Sequence, residues 1–111
     1  MITLVRPASF IRSDSFLQNS LPPIGLAYIA ASLQNSGYSP QVIDAVGEKL
    51  EQLSITEKYP QIMRQGLSNE EIINRIPPDV KIIGVSCMFS QDWTLCRDLI
   101  NDIKNKFPDS H

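Results

Sequence analysis

The sequence predicts an α/β protein in three layers, with a parallel β-sheet between two layers of helices. A short apolar run without polar alternation is typical of a buried parallel strand, and residues 2–5 form such a run. Segments with helical periodicity separate and follow the predicted strands. The order strand, helix, strand, helix, strand, helix is that of consecutive βαβ units, whose crossovers are right-handed. The predicted strands are residues 2–5, 41–45 and 80–85.

A loop and a helix follow the first strand. Residues 8–20 are polar and irregular, which favours a loop. Pro22 and Pro23 come next, and proline is favoured where a helix begins because its missing N–H would have no partner there. Residues 24–33 are apolar nearly all round, so we expect this helix to be largely buried. We expect Gly37 to end it in the left-handed conformation.

The stretch after the second strand has the weakest pattern. Short helical turns are predicted at residues 49–53 and 59–64. Ser68 and Glu71 then have the spacing of a capping box, in which each side chain bonds the other residue's N–H. They start a short amphipathic helix, which the prolines at 77–78 end.

The last helix is predicted over residues 92–107, because its apolar side chains recur at the spacing of one helical face. If the first strand is central, the strand order is second, first, third. Sheets of this kind typically have about five or six strands, and a helix with a short polar tail normally leads into another strand. We therefore expect residues 1–111 to be part of one α/β domain, cut off before it is complete. The open edge of the third strand would invite self-association.

Composition excludes several classes of function. The net charge is −2 and the ten basic residues are scattered, which argues against a nucleic-acid partner. No apolar stretch approaches the roughly 20 residues of a membrane helix, and no signal-peptide pattern begins the chain, so we expect a cytoplasmic protein without a membrane partner. Cys87 and Cys96 match neither a zinc ribbon nor a C-x-x-C pair, and should stay reduced. His111 is the single histidine, which nearly excludes a Ser/His/Asp or Cys/His arrangement.

The functional candidates lie in the loops after the first and third strands, because open parallel sheets bind ligands at the carboxyl ends of their strands. The first candidate is the segment 21–25, with Gly25 in the first turn of a helix. Free N–H groups there suit a phosphate, an amide or a flat ring. Taken alone, the simpler interpretation is that the prolines start the helix and Gly25 allows close packing of helix on strand.

The second candidate is the segment 86–89, directly after the third strand. Ser86 could hold the tail of a cofactor, with Met88 and Phe89 on either side. The structural interpretation makes Cys87 a buried, small apolar residue and Phe89 a core residue. We prefer that interpretation for Cys87, and both stay open for Ser86.

Asp44 stands where a dinucleotide-binding fold places an acid for the ribose. Because no G-x-G-x-x-G precedes it, we expect Asp44 to cap the following turn instead. The sequence contains no cluster with the spacing of a metal site, and we predict no catalytic or metal-binding residue in this chain.

Two stretches taken together resemble the opening of the cobalamin-binding domains of radical-SAM proteins. One is residues 21–31 with their continuation at 37–38 and 42–45, and the other is residues 83–90. The resemblance implies a flavodoxin-like (Rossmann-like) three-layer α/β/α fold, with the corrin across the strand ends and the nucleotide tail inside the fold. Ser86 matches the serine that meets this tail, and Met88 takes a position usually held by leucine.

The family's D-x-H-x-x-G motif is absent, so the resemblance implies cobalamin bound without a histidine ligand to cobalt. The Gly-Gly of the family would fall just beyond His111. The expected cofactor-binding residues are Arg6, Pro7, Leu21, Pro22, Pro23, Gly25, Ser86, Cys87, Met88, Phe89 and Gln91.

The resemblance also implies a parent enzyme, of the methyltransferase type or with another radical reaction. Its iron–sulfur cluster needs a C-x-x-x-C-x-x-C motif, which Cys87 and Cys96 cannot form. The cluster, S-adenosylmethionine and catalysis are therefore expected in a missing radical-SAM domain, which would be a partner of this chain. Two alternatives stay open: a non-catalytic flavodoxin-like interaction or regulatory module, and a nucleotide- or flavin-binding domain.

Overall fold

The structure is a computed structural model that describes residues 1–12, 21–56 and 60–111. Among these residues, no helix is both long and apolar enough to cross a membrane. A 3₁₀ turn, Ser90–Asp92, precedes the last helix. In chain order the other elements are β1 Ile2–Arg6, β2 Ser9–Arg12, α1 Ile24–Asn35, β3 Gln41–Asp44, α2 Ala45–Glu48, β4 Leu53–Ile55, β5 Ile62–Gln65, α3 Asn69–Arg75, β6 Ile82–Val85 and α4 Trp93–Lys106.

Three strands form the parallel sheet, in the order β3-β1-β6. Leu4 in the central strand β1 pairs with Val42 on one side and with Gly84 on the other. This order confirms the predicted arrangement of second, first and third strand. A Cβ at position 84 would lie 3.0 Å from Leu4 Cδ2, so glycine leaves room for the leucine.

Helices cover both faces of this sheet, which confirms the predicted three-layer, flavodoxin-like α/β/α fold. Alternate residues of a strand face opposite sides, and Leu4 packs with Leu26 and Ala30 of α1. Val5 faces the other way, into the larger cluster that α3 and α4 close. The buried members of that cluster are Val5, Ile43, Ala45, Leu67, Ile72, Ile76, Val80, Leu99 and Ile103.

The burial of α1 was predicted wrongly. Only Leu26 and Ala30 of this helix are buried, and Tyr28 is 75% exposed. The reason is that α1 lies mainly on β1 and β3, so only one of its faces meets the sheet. Its remaining apolar side chains, including Ile24 and Ile29, are accessible to solvent.

The predicted ends of the helices are confirmed. Gly37 has a φ of 89° and follows α1, where the Tyr38 N–H donates to the Leu33 carbonyl at 3.0 Å in the pattern of a Schellman motif. Ser68 and Glu71 form the capping box of α3. Hydrogen bonds from the Gln52 side chain and the Ser68 N–H hold the pKa of Glu71 below its usual range.

A second, antiparallel sheet in the order β2-β5-β4 was not predicted. The expectation of a loop is wrong for residues 9–12, which form β2. The predictions of helical turns are also wrong where β4 begins and over much of β5. Residues 49–52 form a turn that is not helical. Residues 13–20 and 57–59, which also carried these predictions, lie outside the described residues. Strands of three or four residues are too short to show an alternating pattern, and β2 pairs with β5, which is distant in the sequence.

The outer edge of β6 is partly occupied by the chain itself. The His111 N–H donates to the Lys81 carbonyl at 2.9 Å, and the Ile83 N–H donates to the His111 carbonyl at 2.8 Å. This is the bonding pattern of a parallel pair. The edge is therefore not bare along its whole length, and self-association through it stays a prediction.

Gly66 should be the glycine on which the fold depends most. Its φ is 116°, and a Cβ there would lie 2.5 Å from the Ala45 carbonyl oxygen, which accepts the Leu67 N–H. We expect Gly66→Ala to lower the free energy of unfolding by about 3 kcal/mol or more, through backbone strain and damage to this hydrogen bond.

Gly37→Ala is the matched control. Its φ is also positive, but a Cβ there would meet no atom of the described residues within 4 Å, so the loss should be about 1–2 kcal/mol. Urea denaturation followed by circular dichroism measures both. Equal losses for the two variants would contradict the predicted role of the Ala45 carbonyl.

Candidate functional site

A cavity of about 450 Å³ lies at the carboxyl ends of β1 and β6, beside the start of α1. Ten of the eleven predicted site residues line it; Gln91, in the 3₁₀ turn before α4, does not. Seven further residues, which the sequence did not single out as binding residues, complete the wall. The lining consists of Arg6, Pro7, Ala8, Ser9, Leu21, Pro22, Pro23, Ile24, Gly25, Leu26, Ile29, Ser86, Cys87, Met88, Phe89, Asp92 and Cys96.

One wall is the first turn of α1. Pro23 is its N-cap residue and provides no side-chain cap, while the Ala27 N–H donates to the Pro23 carbonyl at 3.0 Å. The N–H groups of Gly25 and Leu26 precede this bond and have no acceptor within the helix. Among the described residues, no atom lies within 4 Å of a Cβ built at Gly25. The interpretation that Gly25 allows close helix–strand packing is therefore wrong, since no described strand residue is that near.

Arg6 joins this wall to the ends of β1 and β3. Its Nη1 donates to the Leu21 carbonyl at 2.6 Å and lies 3.3 Å from Asp44 Oδ1. Asp44 Oδ1 also accepts the Gly47 N–H at 2.9 Å, which confirms the prediction that Asp44 caps the next turn. Arg6 therefore holds the segment before α1 against the sheet, and its guanidinium is already paired on the protein side.

The opposite wall is the segment after β6. The Ser86 N–H donates to the Val5 carbonyl at 2.9 Å, which continues the pairing of the sheet to the edge of the cavity. Beyond it, Met88 is 81% exposed and Phe89 is 52% exposed. Cys87 is exposed as well. The structural interpretations of Cys87 as a buried residue and of Phe89 as a core residue are therefore wrong.

Asp92 is a residue of the cavity whose role the sequence did not reveal. Its Oδ2 accepts the Ser9 hydroxyl at 3.1 Å, and its Oδ1 accepts the Phe10 N–H at 3.0 Å. The Asp92 N–H donates to the Phe89 carbonyl at 3.0 Å. Asp92 thus ties β2 to the segment after β6. No sequence signal could show this, because the bonding partner is a strand that lacks a readable pattern.

Both cysteines line this cavity. The Cys96 Sγ, buried in the first turn of α4, donates to the Ser86 carbonyl at 3.8 Å. Burial, followed by the nearby thiol of Cys87, raises the pKa of Cys96 to about 12. The Cys96 thiol is therefore protonated at neutral pH.

The arrangement is suited to binding. Apolar side chains from α1 and from the segment after β6 offer surfaces for a flat ring. The Gly25 and Leu26 N–H groups and the Ser86 hydroxyl offer polar contacts. Among residues 1–12, 21–56 and 60–111, no three His, Cys, Asp or Glu side chains are grouped so that they could hold a metal ion.

Comparison with known proteins gives one informative similarity. The chain is similar to part of a methyltransferase. It is 33% identical over 93 residues to the cytidylyl-2-hydroxyethylphosphonate methyltransferase of Streptomyces wedmorensis. The alignment covers 80% of this chain but 17% of that enzyme, so the chain spans a small fraction of its relative. No family model matches the chain, and no solved structure matches it.

Removing the Asp92 carboxylate should loosen the wall that β2 contributes. We expect Asp92→Ala to lower the free energy of unfolding by about 2–3 kcal/mol, because the Ser9 hydroxyl and Phe10 N–H lose their acceptor. Asp98→Ala is the control, since Asp98 is exposed and pairs with its neighbour Arg97; the loss there should stay within about 0.5 kcal/mol. Urea denaturation compares the two variants, and equal stabilities would contradict the assigned role.

Proposed function

We propose that this chain is the cobalamin-binding part of a cobalamin-dependent radical-SAM methyltransferase. The observation that carries the proposal is that one cavity is lined from both stretches that resemble such domains, residues 21–31 and 83–90. The 33% identity to a methyltransferase supports the type of reaction. The position of the cavity, at the carboxyl ends of parallel strands, is where this class of fold binds ligands.

The exposed apolar side chains of the cavity support a large, flat ligand. Met88 and Phe89 on one wall and Ile29 on the other are exposed to solvent. Covering such side chains contributes roughly 25 cal/mol for each Å² removed from water. The cavity is open to solvent, so a ligand larger than its volume could extend across the strand ends while its tail lies inside.

The polar groups would orient that ligand. The Gly25 and Leu26 N–H groups lie at the positive end of the α1 dipole, which favours a phosphate or an amide oxygen. The Ser86 hydroxyl would contact the nucleotide tail. Cobalamin, when bound, supplies methyl transfer through its cobalt. This chain would bind and orient the cofactor and shield its tail from water.

Cobalt would receive no histidine ligand from this chain. His111 lines a different cavity, with Ile83 and Ile100, and its backbone pairs beside the beginning of β6. The site proposed for cobalamin lies at the opposite end of that strand. The iron–sulfur cluster and S-adenosylmethionine would belong to a radical-SAM domain elsewhere in a cytoplasmic parent protein.

Titration with hydroxocobalamin tests the proposal. We expect a saturable change in the visible spectrum and co-elution of the cofactor with the protein in gel filtration. Gly25→Leu should weaken binding at least tenfold, about 1.4 kcal/mol, because its side chain would enter open space at the cavity. The melting temperature should be nearly unchanged, since no atom of the described part of the chain lies within 4 Å of the added Cβ.

Ser54→Leu is the matched control, because it adds the same side chain at an exposed position of β4 that is not part of the cavity. It should bind as the unchanged protein does. Parallel titrations with flavin mononucleotide and cytidine monophosphate separate the alternatives. Binding of either nucleotide without binding of cobalamin would overturn the proposal, as would equal affinities of the Gly25→Leu and Ser54→Leu variants.

The absence of a histidine ligand has its own test. His111→Ala should leave both the affinity and the visible spectrum of bound cobalamin unchanged, because only the backbone of residue 111 pairs with β6. Circular dichroism confirms that the variant is folded. A shift in the cobalamin absorption bands on this substitution would show that His111 reaches the cobalt and would contradict this part of the proposal.

A further inference from the structure

We propose that Cys87 and Cys96 are a modification site, at which exchange with a low-molecular-weight disulfide forms a reversible bond between their sulfur atoms. The bond would join the segment after β6 to α4 beside the cavity. The proposal does not rest on cobalamin binding. It rests on the placement of the two thiols, which are the only cysteines of the chain.

Contacts place the two cysteines beside each other. Both line the same cavity. The Cys96 Sγ also lies 3.8 Å from the carbonyl oxygen of Ser86, the residue directly before Cys87. The Cys87 Sγ lies 3.8 Å from the Phe89 carbonyl oxygen, within its own segment.

The backbone that carries the cysteines is held at both ends. The Ser86 N–H is bonded to Val5 of the central strand, and the Asp92 side chain is bonded to Ser9 and Phe10 of β2. The Asp92 N–H closes the turn on Phe89. Because Cys96 already contacts the residue directly before Cys87, little backbone movement is needed to join the two sulfur atoms.

The difference in exposure assigns the order of reaction. Cys87 is exposed and can meet a small disulfide from solution, whereas Cys96 is buried. The Cys87 thiolate attacks one sulfur of the small disulfide, forms a mixed disulfide and releases one small thiol. Cys96 then attacks the Cys87 sulfur and releases the second small thiol. Two protein thiols are oxidised, the small disulfide is reduced to two thiols, and the two protons end on these thiols.

The second step should be slow at neutral pH. Burial raises the pKa of Cys96, and the thiol of Cys87 and the charge of Asp92 add to the effect. Once Cys87 is in the mixed disulfide, burial and the charge of Asp92 remain as causes of the raised pKa of Cys96. A thiolate is the attacking species. The rate of disulfide closure should therefore rise by up to about tenfold for each unit of pH increase, as long as the pH stays below the pKa of Cys96.

Intact-mass spectrometry after exposure to glutathione disulfide tests the proposal. At about pH 7 we expect the protein to gain one glutathione first. It should then lose it to give a monomer two hydrogen masses lighter than the reduced chain. Conversion should be faster at about pH 9, and dithiothreitol should restore the reduced mass. No cobalamin is present, so the outcome is independent of the test of the proposed function.

Variants test which cysteine attacks the small disulfide and which one closes the protein disulfide. Cys96→Ser and Cys96→Ala should both stop at the mixed disulfide. Cys87→Ser should react only when the protein is unfolded by urea, since Cys96 is buried. Circular dichroism shows which variants are folded, and one folded Cys96 variant is enough for the comparison. A mixed disulfide that persists at about pH 9 in the unchanged protein, as it does in the Cys96 variants, would overturn the proposal. A disulfide-linked dimer as the sole product would overturn it as well.

Discussion

The pairing of β1 on both of its edges is the constraint on which the rest of the structure depends. Its residues hydrogen-bond to β3 on one side and to β6 on the other, and its side chains are covered by α1 on one face and by α3 and α4 on the other. Thr3 and Val5 are completely buried. A strand so enclosed has a single register, because a shift by one residue would exchange its two faces.

This central position also creates the cavity. Parallel strands end at the same edge of a sheet, so the segments after β1 and β6 must begin side by side. The Ser86 N–H bonded to Val5 is the last link of that pairing. From there the two segments diverge, one toward β2 and the start of α1, the other toward α4. The space between them is bridged by the carboxylate of Asp92, which joins β2 of the second sheet to the segment after β6.

Features governed by local chemistry could be predicted from the sequence. The left-handed Gly37, the capping box of Ser68 and the cap made by Asp44 each depend on residues a few positions apart. The strand order could be predicted as well, because βαβ connections allow few arrangements. The small antiparallel sheet could not, since β2 pairs with the distant β5 and the three strands fully bury none of their apolar side chains.

The site could be predicted in outline and not in detail. The strand ends indicated which segments meet, and ten of the expected residues do line one cavity. Whether each apolar side chain at the site is buried depends on tertiary packing, which cannot be predicted from the amino-acid composition. The helix α1 looked buried because it is apolar on every face, yet the described structure covers one face. Cys87 was expected to be buried because a free cysteine behaves as a small apolar residue, yet it is exposed.

The exposed apolar residues lie together around one cavity, which suggests that they share a role in binding. Ile24 and Ile29 of α1 and Met88 and Phe89 after β6 all border the same cavity. Single exposed apolar residues are ordinary on a protein surface, but a contiguous apolar surface around a concavity marks a place where something binds. The exposed Cys87 thiol lies in that wall, directly before Met88. A ligand that covered Met88 and Phe89 would therefore also restrict access to Cys87, so that occupancy of the cavity and reactivity of the thiol would be coupled by geometry alone.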